Sequence, residues 1–372
     1  MSRPALLDKL FQAGKWLLKP GLVPVDDVTI KRNQTAVYVA LDALIRQGGG
    51  LAVGSDKRIY VDFSLMPTDA FEELLKSIRV PIWLTGHKNF YVNGEVGSDT
   101  LDEGRGASAG KPFKTIQACV DYVCENYNIG PYNLIINVSA GIYVENVVIP
   151  EIARTTGGLY LWGHSETDTV IETGNNTLRQ VATVKIEGFC NVDIRRFTIK
   201  ALDSKLDSSF ENIYLDALNV ARYAQVSMSQ CVMEGYQTAA SDELDLNRVR
   251  VVSAEGGLAL SAPIAIKGSY TASINANKIS GIVAYDGSNV AIQGYTDANA
   301  FEMSGSFVYT VHAPGGYINR NVNSNPVVTG DAMGKRYYCA NGGKISTNGG
   351  GEEYFPGSEA GTVEESSYSW YK

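Results

Sequence analysis

Four stretches of this chain repeat one apolar pattern, and the repeat restricts the fold more than any other feature. They read "VKIEGFCNVDIRRFTIKA" from Val184, "LNVARYAQVSMSQCVMEG" from Leu218, "IAIKGSYTASINANKISG" from Ile264 and "IVAYDGSNVAIQGYTDAN" from Ile282. Each opens with alternating apolar residues and passes through a polar or Gly-containing corner. An apolar position recurs eight residues on, at Val192, Val226, Ala272 and Val290. In the first three it recurs again at fifteen, at Ile199, Met233 and Ile279. Units this short cannot bury an apolar face alone, so successive units stack and share one core. The pattern predicts a solenoid of short parallel strands, apolar inside and polar outside.

The repeat starts are separated by 34, 46 and 18 residues. The excess falls after Ile199 (202–217) and after Gly235 (236–263), and such insertions leave a solenoid as loops, often on its binding face. Within the second, "VRVVSAEGGLALS" has strand character of its own. Cys231 and Met233 match Phe197 and Ile199 one unit earlier, which predicts that both are core.

The segments around the repeat differ in kind. Residues 1–88 read as a small α/β module. Leu6, Leu7, Leu10 and Phe11 form one helical stripe, and Phe71, Leu74, Leu75 and Ile78 another after a cap at Thr68 or Asp69. Between them "RIYVDF" alternates as a strand. From residue 89 come a short strand, a Gly-rich loop, a helix near 115–125 whose face is Ile116, Cys119, Val120 and Val123, and two strands around Ala140-Gly141. This order resembles the opening cap of a right-handed parallel β-helix, as in pectate-lyase-like proteins and many bacteriophage tail spikes. In that resemblance the helix covers the open edge of the first coil. Residues 325–372 are dense in Gly and Tyr, with few aliphatic residues to build a core. Their "GGKISTNGGG" and "YFPGSEAGTV" resemble the C-terminal ends of phage tail fibres. The expected division is therefore 1–88, 89–324 and 325–372.

Charge and cysteine content exclude several classes. A net charge of −8 argues against a nucleic-acid partner, which needs a basic face. Five cysteines without C-x-x-C spacing suggest neither a zinc site nor a redox pair. The first residues interleave Asp8, Lys9, Lys15 and Lys19 with apolar ones, unlike a signal peptide. No run approaches a membrane span. The expectation is synthesis in the host cytoplasm, with no membrane insertion.

Three chemistries can be weighed. "CVMEGYQ", at residues 231–237, resembles a pectin methylesterase motif in which a catalytic Asp follows the Gln. Here Thr238 follows Gln237, and downstream "ELDLNRVRVV" offers Asp245 but no Asp-Phe pair. The two-carboxylate mechanism lacks a member. Glycoside cleavage needs two carboxyls flanking the bond. Asp242, Glu243 and Asp245, or Asp203, Asp207 and Glu211, could supply them. Tyr214 and Tyr236 could stack on sugars, Gln237 could bond a hydroxyl, and Arg248 could pair with an acidic sugar. Metal-assisted lyase chemistry would use Asp193 beside Arg195 and Arg196, but Ser227 stands where a second Asp is needed. His87, His164 and His312 are far apart, so no metal or other cofactor is expected.

Together these resemblances imply a tail-fibre or tail-spike protein of a phage virion. Its N-terminal module would attach to other tail or baseplate proteins, and it would form a homotrimer that contacts a bacterial surface glycan or protein. The competing expectations are a surface-polysaccharide depolymerase, glycosidase or lyase, and a connector that anchors other fibre chains.

Overall fold

Val192 and Val226 are register partners in adjacent parallel strands, and their column runs on through Leu258, Val290, Ile318 and Ile345. The computed structural model describes residues 51–53, 59–61 and 82–372, the last without 153–155, 175–179, 203–213, 238–248, 271–278, 295–300, 322–325 and 365–367. The column belongs to a first ladder of parallel strands. It begins with Lys88–Val92, Leu134–Val138 and Leu159–Gly163 and ends with Lys344–Ser346 and Trp370–Tyr371. A second ladder stacks Gly141–Val144, Thr169–Glu172 and the later halves of Asn191–Leu202, Gln225–Gln237 and Gly257–Tyr270. A third stacks Val147–Ile149, Gln180–Ile186, Tyr214–Val220, Val249–Ala254 and Ile279–Ala284. The chain visits the three ladders in turn, which makes it a parallel β-helix, the fold class expected.

Alternation sets the core. Val192, Ile194, Val226, Met228, Leu258, Leu260, Val290 and Ile292 are buried, and the residues between them point out. Asn191–Leu202 and Gln225–Gln237 each serve two ladders by bending at one residue. Arg196 and Gln230 take that corner in successive coils with φ of 62° and 54°. Cys231 pairs with Phe197 and Met233 with Ile199, all of them buried as expected.

The repeat is more regular than the sequence spacing suggests. Leu218 stacks on Val252, and Val252 on Ile282, so "VRVVSAEGGLALS" is a full coil and not an insertion. Ile264 pairs with Cys231 on the second ladder, so the third expected unit is out of phase with the first two. The column partner of Val226 is Leu258, whereas Ala272 lies outside the described residues.

The helix Ile116–Asn126 buries Ile116, Cys119, Val120 and Val123, the face expected. Thr115 caps it by accepting from Ala118 N at 3.2 Å. The Glu145 carboxylate takes the next free amides, Ile116 N at 2.9 Å and Gln117 N at 2.8 Å, where the helix dipole favours an anion. Tyr122 then meets Phe90 and Phe113 over the first coil.

At the other end, the strands of 325–372 continue the same ladders. Met333–Ala340 stacks on the strand before it, and Thr362–Val363 follows. Aromatic rings take the place of aliphatic core there. Tyr337 and Tyr371 stack at 3.8 Å, Phe355 is buried, and Tyr354 Oη donates to Pro326 O at 3.0 Å. Trp83–Lys372 forms one compact unit. In the separate unit Met1–Ile82, Leu51–Val53 pairs antiparallel with Ile59–Val61, which places a strand in "RIYVDF". The helices expected at Leu6 and Phe71 lie outside the described residues.

Candidate functional site

The outer face of the first ladder changes size along one column. Tyr160 pairs with Asp193, Asp193 with Ser227, Ser227 with Ala259, and Ala259 with Ala291. Two large groups are thus followed by three small ones, and the small ones leave room above them. Gly257 deepens the floor, since a Cβ there would lie 2.4 Å from Gln225 Oε1. The turns from the third ladder to the first stand beside it, at Arg222-Tyr223, Glu255-Gly256 and Asp286-Gly287. The result is an open cleft of about 890 Å³ crossing five coils, with Gln225 and Asn289 also on its lining. At ~4.8 Å per strand step, five coils extend about 19 Å, room for a chain ligand.

Asp193 anchors one end. Its Oδ1 accepts from Trp162 Nε1 at 3.1 Å and lies 2.6 Å from Arg195 Nε in an ion pair. Its Oδ2 accepts from Arg195 Nη2 at 3.0 Å and Ser227 Oγ at 2.6 Å. Both oxygens of the carboxylate are therefore engaged. The group is a strut that orients Trp162 and Arg195. The Ser227 expected beneath it is there, so no second carboxylate joins it on this face. Among the described residues, no cluster of three or more His, Cys, Asp or Glu side chains could hold a metal ion.

The other cleft charges differ. Among the described residues Arg222, Glu255 and Asp286 form no ion pair, so they face the cleft uncompensated. Rings stand at both margins. Tyr160 packs on Trp162 at 5.6 Å, and Tyr223 stacks on Phe189 at 4.7 Å with planes 11° apart.

No protein-family model matches the chain, and no curated protein matches it. Among solved structures, the chain is similar to pectin methylesterase from carrot, at 14% identity and TM-score 0.35, covering 77% of this chain and 88% of that one. It is similar to pectin methylesterase PemA from Erwinia chrysanthemi at 16% identity and TM-score 0.35, covering 68% and 78%. It is also similar to ORF18 of Geobacillus virus E2 at 10% identity and TM-score 0.25, covering 84% and 65%.

The glycan-binding candidates from the sequence lie elsewhere. Tyr214 begins a third-ladder strand, and its ring lies 4.9 Å from the guanidinium carbon of Arg250. Tyr236 is on the second ladder and 36% exposed, whereas the next residue, Gln237, is fully buried. Asp242, Glu243 and Arg248 lie outside the described residues, as do Asp203, Asp207, Glu211, Thr238 and Asp245. Tyr214, Tyr236 and Gln237 do not line the cleft, whereas Asp193, the candidate for lyase chemistry, does. The cleft residues Tyr160, Tyr223, Gln225, Glu255, Asp286 and Asn289 carry no motif. The signal that could have found them is the run of small outward residues, Ser227, Ala259 and Ala291, at one position of successive coils.

Proposed function

We propose that the chain is a structural protein of a bacteriophage tail, of the fibre or spike kind, that holds a bacterial surface glycan in the first-ladder cleft without cleaving it. The observation that carries the binding part is the cleft itself: long, open, walled by rings, and rimmed by amide, hydroxyl and charged groups. A solenoid supplies such a site rigidly, because each rim residue is fixed by the coil beneath it. The phage part rests on the tail-fibre resemblance of "GGKISTNGGG" and "YFPGSEAGTV". In this reading residues 1–88 attach the chain to other tail or baseplate proteins, three copies assemble, and the protein resides in the virion.

The non-catalytic part rests on Asp193, whose two oxygens are held by Trp162, Arg195 and Ser227. Glycosidases need two carboxyls flanking the bond, and Glu255 and Asp286 both stand on the turn side of the cleft. The test is to incubate the purified chain with a panel of bacterial surface polysaccharides and measure both retention and polymer length. Retention with unchanged length is expected. Shortened products lost on Glu255→Gln or Asp286→Asn would replace this reading with the depolymerase. Neither retention nor cleavage would leave the connector.

A further inference from the structure

Tyr223 carries two costs, and its stack on Phe189 uses only one face of the ring. Its φ is +72°, a left-handed conformation that side chains with a Cβ avoid. One coil pair later the matching turn position is Gly287, with φ +78°, so glycine serves the same turn without strain. The other left-handed residues are placed differently. Arg196 and Gln230 make the ladder corner, Asn341 and Asn348 are of a type that tolerates the conformation, and Tyr368, with φ 57° and 91% exposed, does not line the cleft. Tyr223 is also 54% exposed, although it is a large ring. Backbone strain that holds an apolar face toward solvent is a mark of a ligand contact. The second face of the ring is occupied by Phe189, which keeps it from swinging away.

The charges beside it choose among ligands. Glu255 and Asp286 outnumber Arg222 on this wall, and Asp193 is already neutralised by Arg195. An acidic sugar chain would bring like charge against unpaired carboxylates. We infer that Tyr223 is the platform on which a sugar of the bound glycan stacks, and that the cleft favours glycans without acidic sugars. This rests on the reading of the cleft as a glycan site.

The experiment uses the full chain on an array of bacterial polysaccharides grouped by charge, with polygalacturonate as the acidic probe. The wild type is expected to retain uncharged or amine-bearing polymers and to leave polygalacturonate unbound. Tyr223→Gly should bind the retained polymer about tenfold more weakly. Its melting temperature should stay within about 3 °C of the wild type, since relieved strain offsets the lost ring stack. Tyr223→Phe should keep the affinity. Full binding by Tyr223→Gly overturns the platform while leaving the cleft reading intact. A melting temperature that falls in step with affinity would make the ring structural and also overturns it. Preference for polygalacturonate overturns the charge argument. A wild type that retains no polymer overturns the cleft reading and this inference together.

Discussion

Arg250 lays its guanidinium fork on Asp216 one coil away, with Nε 2.5 Å from Oδ1 and Nη2 2.8 Å from Oδ2. The two are register partners on the third ladder, and both side chains are almost wholly buried. Tyr285 Oη accepts from Nη1 at 2.7 Å, and Asn219 Nδ2 donates to Asp216 at 3.1 Å. Burial pulls the guanidinium's pKa down, but the carboxylate at contact distance outweighs it and raises it. Burial pushes the Asp216 carboxyl up against the opposing pull of Arg250. The two-bond fork keeps the pair ionised.

Breaking that pair from one side strands a buried charge. Asp216→Ala should destabilise the chain by about 3–5 kcal/mol in urea unfolding, because Arg250 is left uncompensated. The double variant Asp216→Leu, Arg250→Met should be far less harmful. A single variant as mild as the double one would show that the pair is not desolvated.

His312 gives the β-helix a pH dependence of definite sign. Burial between Tyr309 and Tyr338 lowers its pKa from 6.5 to about 4, with the Glu364 charge opposing. Its folded value lies below its unfolded one, so the stability is fully present above pH 6.5. It is lost as pH falls toward 4, by up to about 3 kcal/mol. Urea midpoints measured from pH 7.5 to 4 should fall, and His312→Gln should flatten that part of the curve. Parallel curves for both proteins would remove His312 as the cause.

The cysteines should react very unequally. Burial pushes the thiols of Cys190, Cys231 and Cys339 up to about 12, and raises that of Cys119 well above its ordinary value. All five are unbridged, and Cys124 is the partly exposed one. A thiol reagent at neutral pH should therefore label Cys124 in the native protein and all five after unfolding. Rapid native labelling of Cys231 would contradict its place in the core.

The stretch "CVMEGYQ" should hydrolyse no esters. Cys231 and Met233 are packed inside, and Gln237 is fully buried. Methyl-esterified pectin should release no methanol, and Thr238→Asp should not create the activity, since no Asp-Phe pair follows in the sequence. Methanol release lost on Gln237→Ala would make this coil an active site.

The sequence shows the architecture well and its phase poorly. The step from Val184 to Leu218 is a true coil, and the capping helix is legible residue by residue because its period differs from that of the strands. The step to Ile264 misleads because all three ladders share one alternation, so apolar residues of different faces align equally well. Turn length hides the phase further. Arg222 and Tyr223 fill a longer turn than the Glu255-Gly256 pair that replaces it one coil later. The aromatic closing layer at Tyr337, Tyr354, Phe355 and Tyr371 is illegible because aliphatic content is a poor guide where rings fill the core. Tyr223 is illegible too, since its strain exists only in the backbone angle.

Hydroxyl-radical footprinting of the chain with a retained polysaccharide tests the central claim most directly, because it reports where the glycan lies. Tyr160 and Tyr223 at the first-ladder cleft should be protected, while Tyr236 on the second ladder and the exposed Tyr368 stay reactive. Protection centred on Tyr236, with Tyr160 and Tyr223 unchanged, would place the glycan on another face and contradict the account.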